Sequence, residues 1–147
     1  MNSNEPNKVL LEKEYFQLQK EIGNFDAKSL TIKAWSVSLA GAIAGTSAFT
    51  SNKKVILFAA LISLMFWFID GTWKTFQRAN YPRIREIEKF MRGEIKEIHC
   101  LQISSSWKTS YKKDRIKQLL KKMFWPHVIL PHGAMFIILV LFYSLSA

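Results

Sequence analysis

Three long apolar stretches alternate with polar, charged ones along this chain. Residues 34 to 52 carry no charged side chain, 55 to 73 carry only Asp70, and 123 to 147 carry none. A helix needs about 20 apolar residues to span the hydrocarbon core of a bilayer, so each stretch is long enough. The polar stretches have helical periodicity. Leu11, Tyr15, Leu18 and Ile22 recur at 4-3-4 spacing from Lys8 onward, and Gly23-Asn24 is expected to end that helix. Ile84, Ile87, Met91, Ile95 and Ile98 recur at 3-4-4-3 spacing behind Pro82, which suits a first helical turn with Asn80 or Tyr81 at the cap. The two stripes are expected to pack together as a short bundle. His99 to Tyr111 reads as a linker. Lys112 to Phe124 reads as a basic amphipathic helix with Ile116, Leu119, Leu120, Met123 and Phe124 on one face.

The expected fold is therefore all-α: an integral membrane protein with a transmembrane hairpin, a basic helical cytoplasmic segment and a third, C-terminal span. Four regions follow: an arm (1–33), a hairpin (34–73), a basic segment (74–122) and an apolar segment (123–147). Pro126, Pro131, His127 and His132 crowd the start of the last, and a re-entrant segment is the alternative there.

Charge sets the expected orientation. The chain has a net charge of +10; residues 74–122 hold fourteen Lys or Arg against five acids, while 1–33 hold five of each. Lys and Arg stay on the cytoplasmic side, so the basic segment and the N-terminus are expected inside. The first 30 residues have no early apolar core, so no cleavable signal peptide is expected. The single cysteine, Cys100, suits a reducing compartment.

Within the first span, Gly41 and Gly45 form one small-residue pair, and Ala34, Ser38 and Ala42 a second row. Small residues let helices approach closely in lipid. The row could serve the second span of the same chain or the same helix of another copy. The second span is bulky, with Trp67 and Trp73 as interfacial anchors. Asp70 is expected to pair with Lys74 at i+4, with a role in an ion path as the alternative. Lys112, Lys113, Arg115, Lys117, Lys121 and Lys122 could meet an anionic leaflet or nucleic-acid phosphate.

Catalytic signatures are missing from the sequence. It has no glycine-rich phosphate loop and no nucleophile in a recognisable setting. His99 and Cys100 lack a second ligand pair, and His127 and His132 are five apart on a proline-interrupted segment. A non-enzyme without cofactor or metal is expected.

The run from Lys28 to Ser36, the Phe66-Trp67-Phe68-Ile69-Asp70-Gly71-Thr72-Trp73 segment and Tyr81-Pro82-Arg83-Ile84-Arg85 together resemble the small transmembrane effectors of bacterial retron anti-phage systems, over about Phe25 to Phe90. That resemblance implies a toxin of the inner membrane, held silent by a reverse transcriptase and its RNA–DNA hybrid, released on infection and homo-oligomeric when active. It carries no catalytic motif to transfer. Partner contact would fall to the six basic residues or to Ile84, Ile87 and Met91. A nucleotide-gated effector and an accessory subunit of a membrane complex are the competing readings.

Overall fold

The computed structural model describes residues 5–50, 52–113 and 115–145. Their secondary structure is helical throughout: α1 (Glu5–Thr50), α2 (Lys54–Arg78), α3 (Tyr81–Met91), α4 (Ile103–Lys112), α5 (Arg115–Met123) and α6 (Pro126–Leu145). The chain forms two compact units. One comprises Met1–Asp26 and Thr75–Arg115, the other Ala27–Lys74 and Ile116–Ala147.

The first unit is built where the two sequence stripes meet. Leu11, Leu18 and Ile22 of α1 bury against Ile84 and Ile87 of α3, and Tyr15, Phe90, Ile98 and Cys100 close over them. Beside this core, Arg83 forks onto Glu14 through Nε and Nη2 at 2.8 and 3.1 Å, and both side chains are almost fully buried. Arg83 Nη2 also donates to the His99 carbonyl at 2.6 Å, while Glu14 accepts from the Leu101 and Gln102 amides at 2.9 and 3.3 Å. The ion pair thus pins the segment entering α4, including Leu101, a non-glycine residue at φ 59°. Such a backbone costs about 1–3 kcal/mol and persists only where its surroundings enforce it.

Three expectations about helix limits are corrected. Gly23-Asn24 does not end α1, which runs on to Thr50. A glycine inside a helix costs about 1 kcal/mol, less than breaking and recapping a helix whose next residues hold no proline. The stripe of α3 stops at Met91, so Ile95 and Ile98 lie outside it. Gly93 at φ +76° ends it: its amide bonds to the Phe90 carbonyl and the Glu94 amide to that of Lys89, the paired closure of a Schellman motif. The expected 99–111 linker contains α4, held by Trp107 and Tyr111, which stack at 4.9 Å, and by Trp107 Nε1 donating to the Phe76 carbonyl at 3.1 Å.

The second unit packs α2, α5, α6 and the later part of α1. Asn52 Oδ1 accepts the Lys54 amide in the tight turn between α1 and α2. Pro131 lies inside α6 without ending it. The helical runs Lys54–Met91 and Pro126–Leu145 are long and apolar enough to cross a membrane. The 34–52 stretch is helical up to Thr50 but is not one of these two. Its serines and threonines dilute it, and Thr46, Ser47 and Thr50 turn their hydroxyls back onto the Ile43, Ala44 and Thr46 carbonyls of their own helix.

Candidate functional site: a buried charged layer

The second unit is apolar outside and polar inside. Phe58, Leu61, Met65 and Phe68 of α2 and Leu130, Ile137, Ile138 and Leu141 of α6 are half or more exposed, while Ser29, Ser36, Ser63, Asp70 and His132 are buried. Soluble proteins show the reverse distribution.

Spacing along α1 puts Ser29, Lys33 and Ser36 on one face, each about a turn from the next. Asp70 of α2 is fully buried against that face. Its Oδ1 accepts from Ser29 Oγ at 2.6 Å, its Oδ2 lies 3.0 Å from Lys33 Nζ, and Lys33 also donates to Ser29. From α6, His132 brings Nε2 to 3.4 Å from Asp70 Oδ2, and its Nδ1 lies 2.8 Å from Ser36 Oγ. Ser63 Oγ donates to the His132 carbonyl at 2.9 Å.

Above this layer the packing becomes wholly apolar: Ala40 of α1, Ile56, Ala59 and Ala60 of α2 and Leu139 of α6, with Ile43, Ala44, Met135 and Phe136 around them. At the other end, α5 lies hard against α2. A Cβ on Gly71 would sit 2.5 Å from Met123 Cγ, and Trp67 Nε1 caps the Met123 carbonyl at 2.8 Å. An apolar groove of about 490 Å³ opens there between Leu64, Phe68, Leu120 and Phe124. Lys28 places its ammonium 5.4 Å above the Trp73 ring.

The sequence pointed to Lys74 as the partner of Asp70; the structure brings Lys33 to it from α1. The sequence raised His132 only as a candidate metal ligand and suggested no part in a charged site for Ser29, Ser36 or Ser63. The signal that could have found them is the shared helical face of Ser29, Lys33 and Ser36, which crosses the boundary drawn at residue 33 between the arm and the first span.

The expected helix-packing residues separate. Gly41 faces α6, its virtual Cβ 3.5 Å from Met135 Cε, whereas nothing lies within 4 Å of Gly45. Ala34, Ser38 and Ala42 are exposed. The face of α1 that packs within the chain is the adjacent one, through Ser36 and Ala40.

The expected basic helix over 112–124 is broken. Lys113 is extended and ends α4, and α5 begins at Arg115. The two helices have different anchors, α4 on Phe76 and α5 on Gly71. Lys112 and Lys113 are exposed in the first unit, Lys117 and Lys121 in the second. Lys122 is covered, its Nζ 4.1 Å above the Trp125 ring, and the Arg115 side chain lies outside the described ones. Ile84 and Ile87 are spent on the unit's own core and offer no docking surface, while Met91 remains exposed.

Neither family profiles, curated proteins nor solved structures give any match to the chain.

Proposed function

We propose that this chain is a multi-pass protein of the bacterial inner membrane, N-terminus inside, that acts as a membrane-damaging effector of an anti-phage system. One observation carries the membrane part of this reading: a unit with an apolar exterior encloses buried charge. The two apolar helical runs are only 33% and 22% buried over their most apolar windows, where a soluble core helix would be mostly covered. Lipid covers such faces without cost, and ionisable groups then gather in the bundle interior. The effector part rests on the likeness of the Phe25 to Phe90 region to retron effectors and on the basic composition of 74–122. In this reading a reverse transcriptase with its RNA–DNA hybrid restrains the protein through Lys112, Lys113 and their basic neighbours, and the open row of Ala34, Ser38, Ala42 and Gly45 joins copies once it is released.

Induced expression in bacteria tests this. The protein should stay with membranes after alkaline carbonate extraction, collapse the membrane potential and arrest growth. Co-expression of the reverse transcriptase and its template RNA should restore growth. Extraction into the soluble fraction, or an unaltered potential at full expression, would refute the reading.

A further inference from the structure

We propose that the Ser36–His132–Asp70–Lys33 chain is one half of a proton pathway through the second unit, closed by the apolar layer above it. This rests on the effector reading and names the species that the lesion conducts.

The chain is continuous. It starts at Lys33, whose side chain is 18% exposed, passes through Asp70 and His132, both fully buried, and ends at buried Ser36. Every member can carry a proton. Three different helices supply them, so the path lies in the bundle interior and not along one helix surface. Packing alone does not require this arrangement: a charged pair buried among apolar helices is seldom more stabilising than an apolar replacement.

The contact between Asp70 and His132 is the informative one. Oδ2 and Nε2 face each other at 3.4 Å, both buried, at the long end of hydrogen-bond range, so a small approach of the two groups lets the proton on Nε2 pass to the carboxylate. A proton from Ser36 Oγ enters the ring at Nδ1, and the proton on Nε2 leaves to Asp70 Oδ2. The carboxylic acid then gives it to water at the Lys33 end, and Ser36 is reprotonated by water from the opposite side. The ring is then the Nδ1–H tautomer; the same entering water takes the Nδ1 proton and returns one to Nε2, which restores the starting tautomer with no net gain or loss of protons. Lys33 and Ser29 hold the carboxylate in place, and the Lys33 charge balances it between transfers.

Ala40, Ile56, Ala59, Ala60 and Leu139 offer no proton-carrying group. Water must enter that layer before Ser36 can be reprotonated, so the layer acts as a hydrophobic gate. The structure is the closed state.

Full-length protein in liposomes, with a potassium gradient and valinomycin to drive proton entry, tests the assignment through an internal pH dye. A second, entrapped fluorescent dye of larger size reports non-selective leakage. The parent protein should pass protons and retain the dye. H132Q and the double variant K33Q/D70N, which removes both charges together, should pass protons no faster than empty vesicles. L139S should speed proton entry by wetting the gate. Circular dichroism and gel filtration in detergent identify variants that fold. Release of the large dye by the parent would overturn the pathway and leave the effector reading standing as a membrane disruption. Parent-like proton flux in a folded H132Q or K33Q/D70N would overturn it as well. If the parent passes neither protons nor dye and its expression leaves cells unharmed, the effector reading fails with it.

Discussion

Replacing Glu14 by alanine should unfold the first unit well before the rest of the chain changes. The carboxylate accepts four hydrogen bonds: two from Arg83 and one each from the Leu101 and Gln102 amides. Glu14 and Arg83 are 3% and 2% exposed, so water cannot replace the lost partner. Leaving one member of a buried ion pair uncompensated costs about 3–5 kcal/mol. Arg83 keeps Glu86 at 2.8 Å, but Glu86 is a half-exposed residue of the same helix and offsets little of this. At roughly 4–8 °C per kcal/mol for a unit of this size, the midpoint should fall by at least about 12 °C. Cys100 is the chain's one cysteine and packs against this core, so thiol labelling during a heat ramp in detergent reads this unit specifically. The double variant E14L/R83M should recover most of the loss, because no charge is then left buried. A midpoint shift below about 4 °C for E14A, the equivalent of 1 kcal/mol or less, would refute the central place given to this pair.

G71L should loosen α5, because a Cβ there already meets Met123 Cγ at 2.5 Å; overpacking of this kind costs about 1–3 kcal/mol and should appear as a changed Trp67 fluorescence spectrum. G93A places a side chain at φ +76° and should lower the first unit's stability by about 1–2 kcal/mol, again read by Cys100 labelling. G45L meets nothing within 4 Å in the chain, so the folded monomer should survive it; cross-linking between copies and growth arrest should both fall if the open face of α1 joins copies. K112Q/K113Q should lower the salt dependence of binding to the reverse transcriptase complex by up to about one unit of slope per lost phosphate contact, measured by co-purification across a salt series.

The helical class and the two apolar stripes of the first unit could be read in the sequence because a 3.6-residue period is a local signal. Leu11, Leu18, Ile22, Ile84 and Ile87 all lie where their spacing put them. The buried charged layer could not be read in the same way. Its members lie up to 103 positions apart, from Ser29 to His132, and each has an ordinary local explanation. Asp70 has Lys74 one turn away, His132 sits among prolines, and Ser36 is one small residue among many. Only tertiary packing brings them together. The helix limits failed for a related reason. Gly23 and Gly93 are the same residue type, yet only Gly93 adopts a left-handed backbone. Glycine permits that conformation without imposing it, and the closing bonds from Gly93 and Glu94 decide. Trp107 and Tyr111 gave α4 an anchor that no periodic stripe announced.

Collision accessibility of single nitroxide labels in liposomes tests the central claim that the second unit sits in lipid with its charge inside. In a Cys100→Ser background, labels at Phe58, Leu61, Ile138 and Leu141, all exposed on the apolar exterior, should collide freely with oxygen and hardly at all with a water-soluble nickel chelate. A label at Lys112, exposed in the basic segment, should show the opposite preference. Ready collision of the chelate with all four exterior labels would contradict the account, because those faces would then lie in water.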